Sequence, residues 1–263
     1  MAIVTLTTDF ATRDHYVAAM KGVILCRAPG VSLVDVTHDI ARHDIAGGAF
    51  VIRQAFHWFP AGTIHLAVID PGVGGPRRLV AARYADHFFV TPDNGLLSYI
   101  DRDFVRQAAH AISRPEWLPP DASATFHGRD ILAPAAAHLA MGGTLADFGP
   151  PVHEIRLLDC TNARALADGT ISGCVIHVDH FGNLVTNIRA GDLNGNQAEV
   201  HMCGRTIGTL RRTYSDVASG DLLAMIGSSA YLEIAVNGGS AAATLNVARG
   251  ERVFVRTMKP DGQ

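Results

Sequence analysis

The sequence predicts an α/β N-terminal domain with a mostly parallel sheet, followed by an all-β C-terminal domain. Two observations carry that expectation. Before residue 70 the chain alternates three times between a β-rich run and helical spacing, as in a sheet built with right-handed crossovers. After Gly149-Pro150-Pro151 the composition shifts. From residue 169 onward, short alternating runs are separated by glycine, asparagine and aspartate. The α/β domain is therefore placed at 1–155, a linker at 156–168 and the β domain at 169–263.

The elements follow in order. Residues 2–8 are β-rich and end at Asp9; residues 14–26 carry Tyr16, Val17, Met20, Val23 and Ile24 at helical spacing, with Asp14 as the expected N-cap. Ala28-Pro29-Gly30 stops that helix before a strand at 32–37, which ends at His38. Asp44 suits the N-cap of a helix running towards Trp58, a residue expected in the core. The third strand, 64–69, opens the stretch TIHLAVIDPGVGGPRR and ends at Asp70. Ligands of open α/β sheets sit beyond the carboxyl ends of the strands, and Asp9, His38 and Asp70 share that edge.

Residues 79–84 and 87–91 read as two strands turning at Ala85-Asp86, TPDNGLL as a tight turn, and 113–124 as a long surface loop. FHGRD then leads into ILAPAAAHLAMGG, a helix with Pro134 in its first turn and a stop at Gly142-Gly143. His127 stands just before its N-terminus, and Arg129 and Asp130 are expected as first-turn charges. In the second domain TISGCVIHVD, GNLVTNI, QAEVHMCG, RTIGTLRR, YLEIAVN and RVFVRTM read as strands.

Composition narrows the function. Of 263 residues 48% are apolar, enough for a sizeable core, and 22 basic residues against 25 acidic ones supply no excess charge for nucleic acid or an anionic membrane. A small-molecule ligand is expected. Cys26, Cys160, Cys174 and Cys203 are widely spaced, so reduced thiols are expected rather than a disulfide framework or a zinc cage. No leader-like segment or apolar run of membrane-spanning length is evident, and the cytoplasm is the expected compartment.

Three stretches carry candidate chemistry. The glycine-rich loop after Asp70 returns Arg77 and Arg78, which suits either an ordinary surface ion pair or a carboxylate and guanidinium held over a ligand. Asp179-His180-Phe181-Gly182-Asn183 makes a good turn; it also offers an aromatic wall in Phe181 and an amide in Asn183 able to read a base edge. Gly227-Ser228-Ser229-Ala230-Tyr231 brings two hydroxyls to a strand start, suited to a carboxylate or to capping a turn. His177 and Asp179 lie two apart without a third ligand, so no metal is expected. DPGVGG lacks the ending of a phosphate-binding loop.

In order along the chain, TLTTDFATRDHYVAAMKG, VDVTHDI, FPAGTIHLAVIDPGVGGPRR, TPDNGLL, FHGRDILAP, DHFGNLVTNI and SSAYLEIAVNGG resemble the signatures of the S-adenosyl-L-methionine hydroxide adenosyltransferases. These are adenosine-forming hydrolases of S-adenosylmethionine, related to fluorinase and chlorinase enzymes. The resemblance implies a barrel-like second domain and a homotrimer with the site at the subunit interface. It implies catalytic roles for Asp70, Arg77 and His127, and substrate contacts for Asp9, Asp179, Phe181, Asn183, Ser228 and Val236, with His38, Tyr231 and Glu233 in matching motifs. Two positions depart from the pattern. Ala11 replaces the usual glycine after T-D-F, and His43 stands where the halogenases have tryptophan. The halogenases hold tyrosine at the Asp70 position, so this sequence resembles the water-using branch.

The implied reaction expels a neutral thioether from a sulfonium at the ribose C5′, which needs no general acid, metal or other cofactor. What it needs is a nucleophile, a water held in line and made more basic. Two alternatives compete: an adenosyltransferase using halide, which the Asp70 carboxylate disfavours, and a non-catalytic nucleoside-binding protein, which has no use for the triad.

Overall fold

The computed structural model describes residues 2–159, 162–193 and 198–257. The chain divides into two compact units, 1–158 and 159–263. In the first, the elements are β1 (Ile3–Thr8), α1 (Tyr16–Arg27), β2 (Ser32–Thr37), α2 (Ile45–Ala55), β3 (Ile64–Val68), β4 (Leu79–Tyr84), β5 (His87–Pro92), α3 (Ser98–Asp103), β6 (Arg106–Ala111) and α4 (Ala133–Ala140). They build a six-stranded sheet ordered β2-β1-β3-β5-β4-β6. The β2-β1-β3-β5 portion is parallel, and β4 alone runs against the rest, antiparallel to both β5 and β6, as expected of a mostly parallel sheet.

Strand alternation sends side chains to two faces, and each face has its own core. Val4, Leu6, Leu66 and Val68 pack with Met20 and Ile24 of α1 and with Ala133, Ala136 and Ala137 of α4. Ala67, Ile69, Val80 and Ala82 pack with Ile52 of α2, Phe56, Leu96 and Ile100. Asp44 caps α2 as expected, accepting a 2.8 Å hydrogen bond from the Gly47 amide. Ala85 (φ 44°) and Asp86 (φ 64°) form the expected tight turn between β4 and β5.

Other expectations are corrected. The N-cap position of α1 is His15, with no side-chain cap, so Asp14 does not cap it. Trp58 is 79% exposed; it lies in a 3-10 turn after α2 in which Phe56 is the ring that enters the core. Asp130 does stand in the first turn as expected and pairs with Arg129, but it also serves the preceding loop, accepting from the Ser123 amide at 2.8 Å. The loop at 113–124 contains a 3-10 turn, Pro115–Trp117, and α3 and β6 arise where no element was expected.

The second unit comprises β7 (Arg164–Ala165), β8 (Ile171–Val178), β9 (Leu184–Arg189), β10 (Ala198–Met202), β11 (Arg205–Arg211), β12 (Leu222–Ile226), β13 (Tyr231–Val236), the short helix α5 (Ala241–Leu245) and β14 (Arg252–Thr257). The order β14-β10-β11-β12-β13-β9-β8 closes through pairing of β14 with β8 into a seven-stranded barrel, with β7 added beside β8. Closure removes the sheet edges. Val175, Leu184, Ile188, Val200, Ala224, Leu232, Ile234, Val253 and Val255 fill its core. β7, β12 and α5 were not expected from the sequence. Cys160, Gln197 and Met258, which belong to expectations above, lie outside the described residues.

Candidate active site

The strand order creates the first half of the candidate site. The chain passes from β1 to β2 on one side, then returns past β1 to β3 on the other, so the C-terminal ends of β1 and β3 flank the point where the winding reverses. That crevice is where open α/β sheets bind ligands. Thr8 and Val68 are in register, which sets Asp9 and Asp70 just beyond adjacent strand ends.

Asp9 accepts from the His43 amide at 2.9 Å, tying the β1 end to the loop after β2. Both departures from the family pattern lie here in left-handed backbone, Ala11 at φ 55° and His43 at φ 64°. The Ala11 amide donates to the His38 carbonyl at 2.7 Å, which holds it there. His38 is 4% exposed, with Nδ1 2.9 Å from Thr8 Oγ1 and Nε2 3.0 Å from Asp35 Oδ1. Its ring thus braces β1 against β2, with both nitrogens engaged inside the unit.

Beyond β3 the loop closes on itself through Val73 N to Asp70 O and Gly75 N to Gly72 O. Gly74 takes φ +75°, and a Cβ there would stand 2.5 Å from the Ala124 carbonyl oxygen, so only glycine fits. The loop returns Arg77 to Asp70. Arg77 Nε donates to Oδ1 at 2.9 Å and Oδ2 at 3.1 Å, and Nη2 also donates to Oδ2. The side chains are 10% and 5% exposed, which excludes the ordinary surface ion pair that the loop could otherwise have been.

Arg77 Nη2 lies 2.9 Å from His127 Nδ1. Guanidinium has no acceptor, so Nδ1 accepts, and the imidazole is neutral with its proton on Nε2. Burial first, and Arg77 second, hold the His127 pKa below its usual value against the opposing pull of Asp70 and Asp130. His127 sits at the entry to a π-helical turn, Gly128–Leu132, which runs on into α4. Such turns recur at functional sites. Beside it Phe10, Tyr16 and Phe126 form an aromatic cluster with centroids 5.2–6.0 Å apart, in which Phe126 meets both other rings edge-on. From the sequence alone these rings have no role in the site: Tyr16 counts only towards the helical spacing of α1, and Phe10 and Phe126 stand only within the motifs TDF and FHGRD. Arg78 turns away from Arg77 and pairs with Asp93.

The second unit carries the other candidates. Asp179 Oδ1 accepts from the Phe181 amide at 2.9 Å and the Asn183 amide at 2.8 Å, and Oδ2 accepts from Asn183 Nδ2 at 2.9 Å. Its carboxylate therefore builds the turn that holds Asn183 and projects Phe181, which is 73% exposed. Phe181, Asn183, Tyr214, Val236, Gly238 and Gly239 line a cavity of about 510 Å³. Tyr214 is an addition to the sequence reading: its hydroxyl donates to Glu233 Oε1 at 2.8 Å. Burial pushes Tyr214 up to about 12, helped by the Glu233 bond. The Glu233 carboxyl is likewise raised by burial and by Asp179, with the Tyr214 bond opposing. Tyr231 is buried in the wall under the Arg189 guanidinium, and Ser228 is exposed in the Gly227–Ala230 turn; neither lines the cavity.

Among the described residues no group of three or more His, Cys, Asp or Glu could hold a metal ion, and no helix is long and apolar enough to cross a membrane.

Residues 4–149 match the family model described as SAM hydroxide adenosyltransferase N-terminal domain, and residues 173–254 match the corresponding C-terminal domain. A protein of Salinispora tropica named (R)-S-adenosyl-L-methionine hydrolase is 42% identical over 256 residues, covering 96% of this chain and 97% of that protein. One of the same name from Thermus thermophilus is 38% identical, covering 95% and 98%. The crystal structure of an uncharacterized conserved protein from Thermotoga maritima superposes with a TM-score of 0.87 at 30% identity, covering 97% of this chain and 99% of that one.

Proposed function

The chain belongs to the SAM hydroxide adenosyltransferase family, and from that premise we propose that it hydrolyses (R)-S-adenosyl-L-methionine to adenosine and L-methionine by attack of water at C5′. The R configuration at sulfur comes from the relatives' name. The observation that carries the mechanism is the single guanidinium bonded to both Asp70 and His127.

In the step itself a water oxygen forms a bond to C5′ while the C5′–S bond breaks, and the electron pair returns to sulfur as a neutral thioether. The water loses one proton. Asp70 is the acceptor, because His127 Nδ1 is already engaged by Arg77 and Nε2 carries a proton. Arg77 fixes the carboxylate and offsets charge as the oxygen gains hydroxide character. Positive charge on sulfur falls in the transition state, so a carboxylate against it would favour the ground state instead. The aromatic cluster of Phe10, Tyr16 and Phe126 supplies an apolar flank that avoids this. No step calls for a metal or other cofactor.

Asp9 would bind the ribose hydroxyls. Phe181, Asn183, Tyr214 and Val236 would take the base, supported by their shared cavity. The reading includes a homotrimer, whose site is completed by a neighbouring copy, working in the cytoplasm. Light scattering on the purified protein tests the assembly; a monomeric mass would remove it.

The deciding experiment is incubation of the R and S sulfonium epimers in ¹⁸O-labelled water, wild type beside Asp70→Ala, with products analysed by mass spectrometry. Labelled adenosine from the R epimer, strongly reduced in the variant, is expected. Bound nucleoside without any adenosine formed would sink the hydrolase and leave a binding protein.

A further inference from the structure

The motif TPDNGLL has no part in the chemistry so far, yet its Asp93 and Asn94 reach both feet of the loop that carries Asp70 and Arg77. β5 lies beside β3, with Leu66 in register with Val90, so the turn after β5 emerges next to that loop. At the first foot Asn94 Nδ2 donates to the Ile69 carbonyl at 2.8 Å, the peptide group joined directly to Asp70. Among the described residues Asn94 Oδ1 is buried and accepts no hydrogen bond, so the amide's engagement is this one bond. At the second foot the Asp93 amide donates to the Arg78 carbonyl at 2.9 Å. Asp93 Oδ2 accepts from Arg78 Nε at 3.0 Å and Nη2 at 2.6 Å, while Oδ1 accepts from the Arg156 amide at 2.7 Å. The Asp93 side chain is 4% exposed although its partner Arg78 is half exposed.

A loop containing Gly72, Gly74 and Gly75 has much backbone freedom to lose, and a misplacement of about 1 Å in a reacting group can cost on the order of 100-fold in rate. We propose that Asp93 and Asn94 are positioning residues for the reaction, a two-point clamp that holds the Asp70 carboxylate and the Arg77 guanidinium in the geometry that orients the attacking water. Asn94 sets the peptide before Asp70; Asp93 anchors Arg78 and thereby the peptide after Arg77. This rests on the hydrolase reading of the same loop.

The test uses Asn94→Asp, which keeps the shape and removes the donor, together with Asn94→Ala and Asp93→Asn. Two quantities are read: kcat and KM for adenosine formation, corrected for the folded fraction, and the titration midpoint of the His127 imidazole followed by NMR. The clamp predicts a fall in kcat of about 10- to 100-fold with KM within about twofold. It also predicts an upward move of the His127 midpoint, because Arg77 leaves Nδ1 while Asp70 and Asp130 still face the ring. Activity that falls only in proportion to the folded fraction, with the midpoint unmoved, would make the turn merely structural and overturn the clamp. Wild-type kcat in all three variants would do the same. If the wild type forms no adenosine, the hydrolase reading fails separately, and the His127 midpoint alone decides the clamp: a shift supports it and no shift overturns it. Should Asp93→Asn fail to fold, Asn94→Asp carries the test.

Discussion

Asp70 and Asp179 each follow or end a strand, each stands near a glycine turn, and each is held by several hydrogen bonds, but they are satisfied in opposite ways. Asp179 is bonded by the backbone and side chain of its own next four residues, so its carboxylate makes a turn. Asp70 is bonded by a side chain that also reaches His127, from a distant helix. A carboxylate consumed locally shapes a pocket; one held by a buried charged side chain from beyond its own turn keeps its chemistry. The prediction with the largest expected effect breaks this contrast directly. Asp70→Asn should lower kcat for adenosine formation by about 10²- to 10⁴-fold with the fold retained, whereas Asp179→Asn should raise KM and leave kcat within about threefold. Equal kcat losses in steady-state assays would erase the distinction.

Acid should separate the two units next. His65 is buried with Nδ1 2.8 Å from Thr5 Oγ1 and Nε2 3.1 Å from His87 Nδ1. Burial, then His87, lowers the His65 pKa to about 3, and burial lowers that of His87 as well. The unfolded chain therefore binds more protons below about pH 6.5, so stability is complete above that value and lost as pH falls towards 3. The slope from His65 alone is roughly 1.4 kcal/mol per pH unit. Melting curves between pH 6 and 4 should show the α/β unit losing stability with at least this slope, to which His87 adds, and His65→Asn should flatten it; an unchanged slope in the variant would assign the loss to other groups.

Smaller effects sharpen the comparison. Asp179→Ala should destabilise the barrel unit by about 2–3 kcal/mol, since three hydrogen bonds to one charged group are lost, measurable as a lower denaturation midpoint. Ala11→Gly should stabilise the α/β unit by about 1 kcal/mol, because Ala11 holds a left-handed conformation that glycine adopts without a Cβ clash. A lower melting temperature would show that chain entropy outweighs that strain.

The first five strands, the Asp44 cap and the turn at Ala85-Asp86 were legible because each is written locally, in apolar runs, polar caps and turn residues; the left-handed backbone of that turn was not. What escaped was written elsewhere. RQAAHA has little β character of its own and becomes β6 because β4 offers it a ladder. LLAMI lacks alternation, and becomes β12 between β11 and β13 of a closed barrel. Trp58 looked like core by type, but the 3-10 turn commits Phe56 inward in its place. In the site, Asp70 and Arg77 could be paired from a spacing of seven across a glycine loop. Tyr214 could not be joined to Glu233 from spacing, nor Asn94 to Ile69.

By itself the sequence determined where the strands end, that a carboxylate and two arginines flank one tight loop, and which family motifs the chain carries in order. Only the tertiary structure decided that Asp70 and Arg77 are buried as a pair, that Arg78 turns to Asp93 instead, and that the same guanidinium also bonds His127. The reason is the reach of the forces involved. Turn and strand preferences act over a few neighbouring residues, whereas strand order and the packing of α1 against α4 depend on burying apolar faces that the chain brings together only when the whole sheet is assembled.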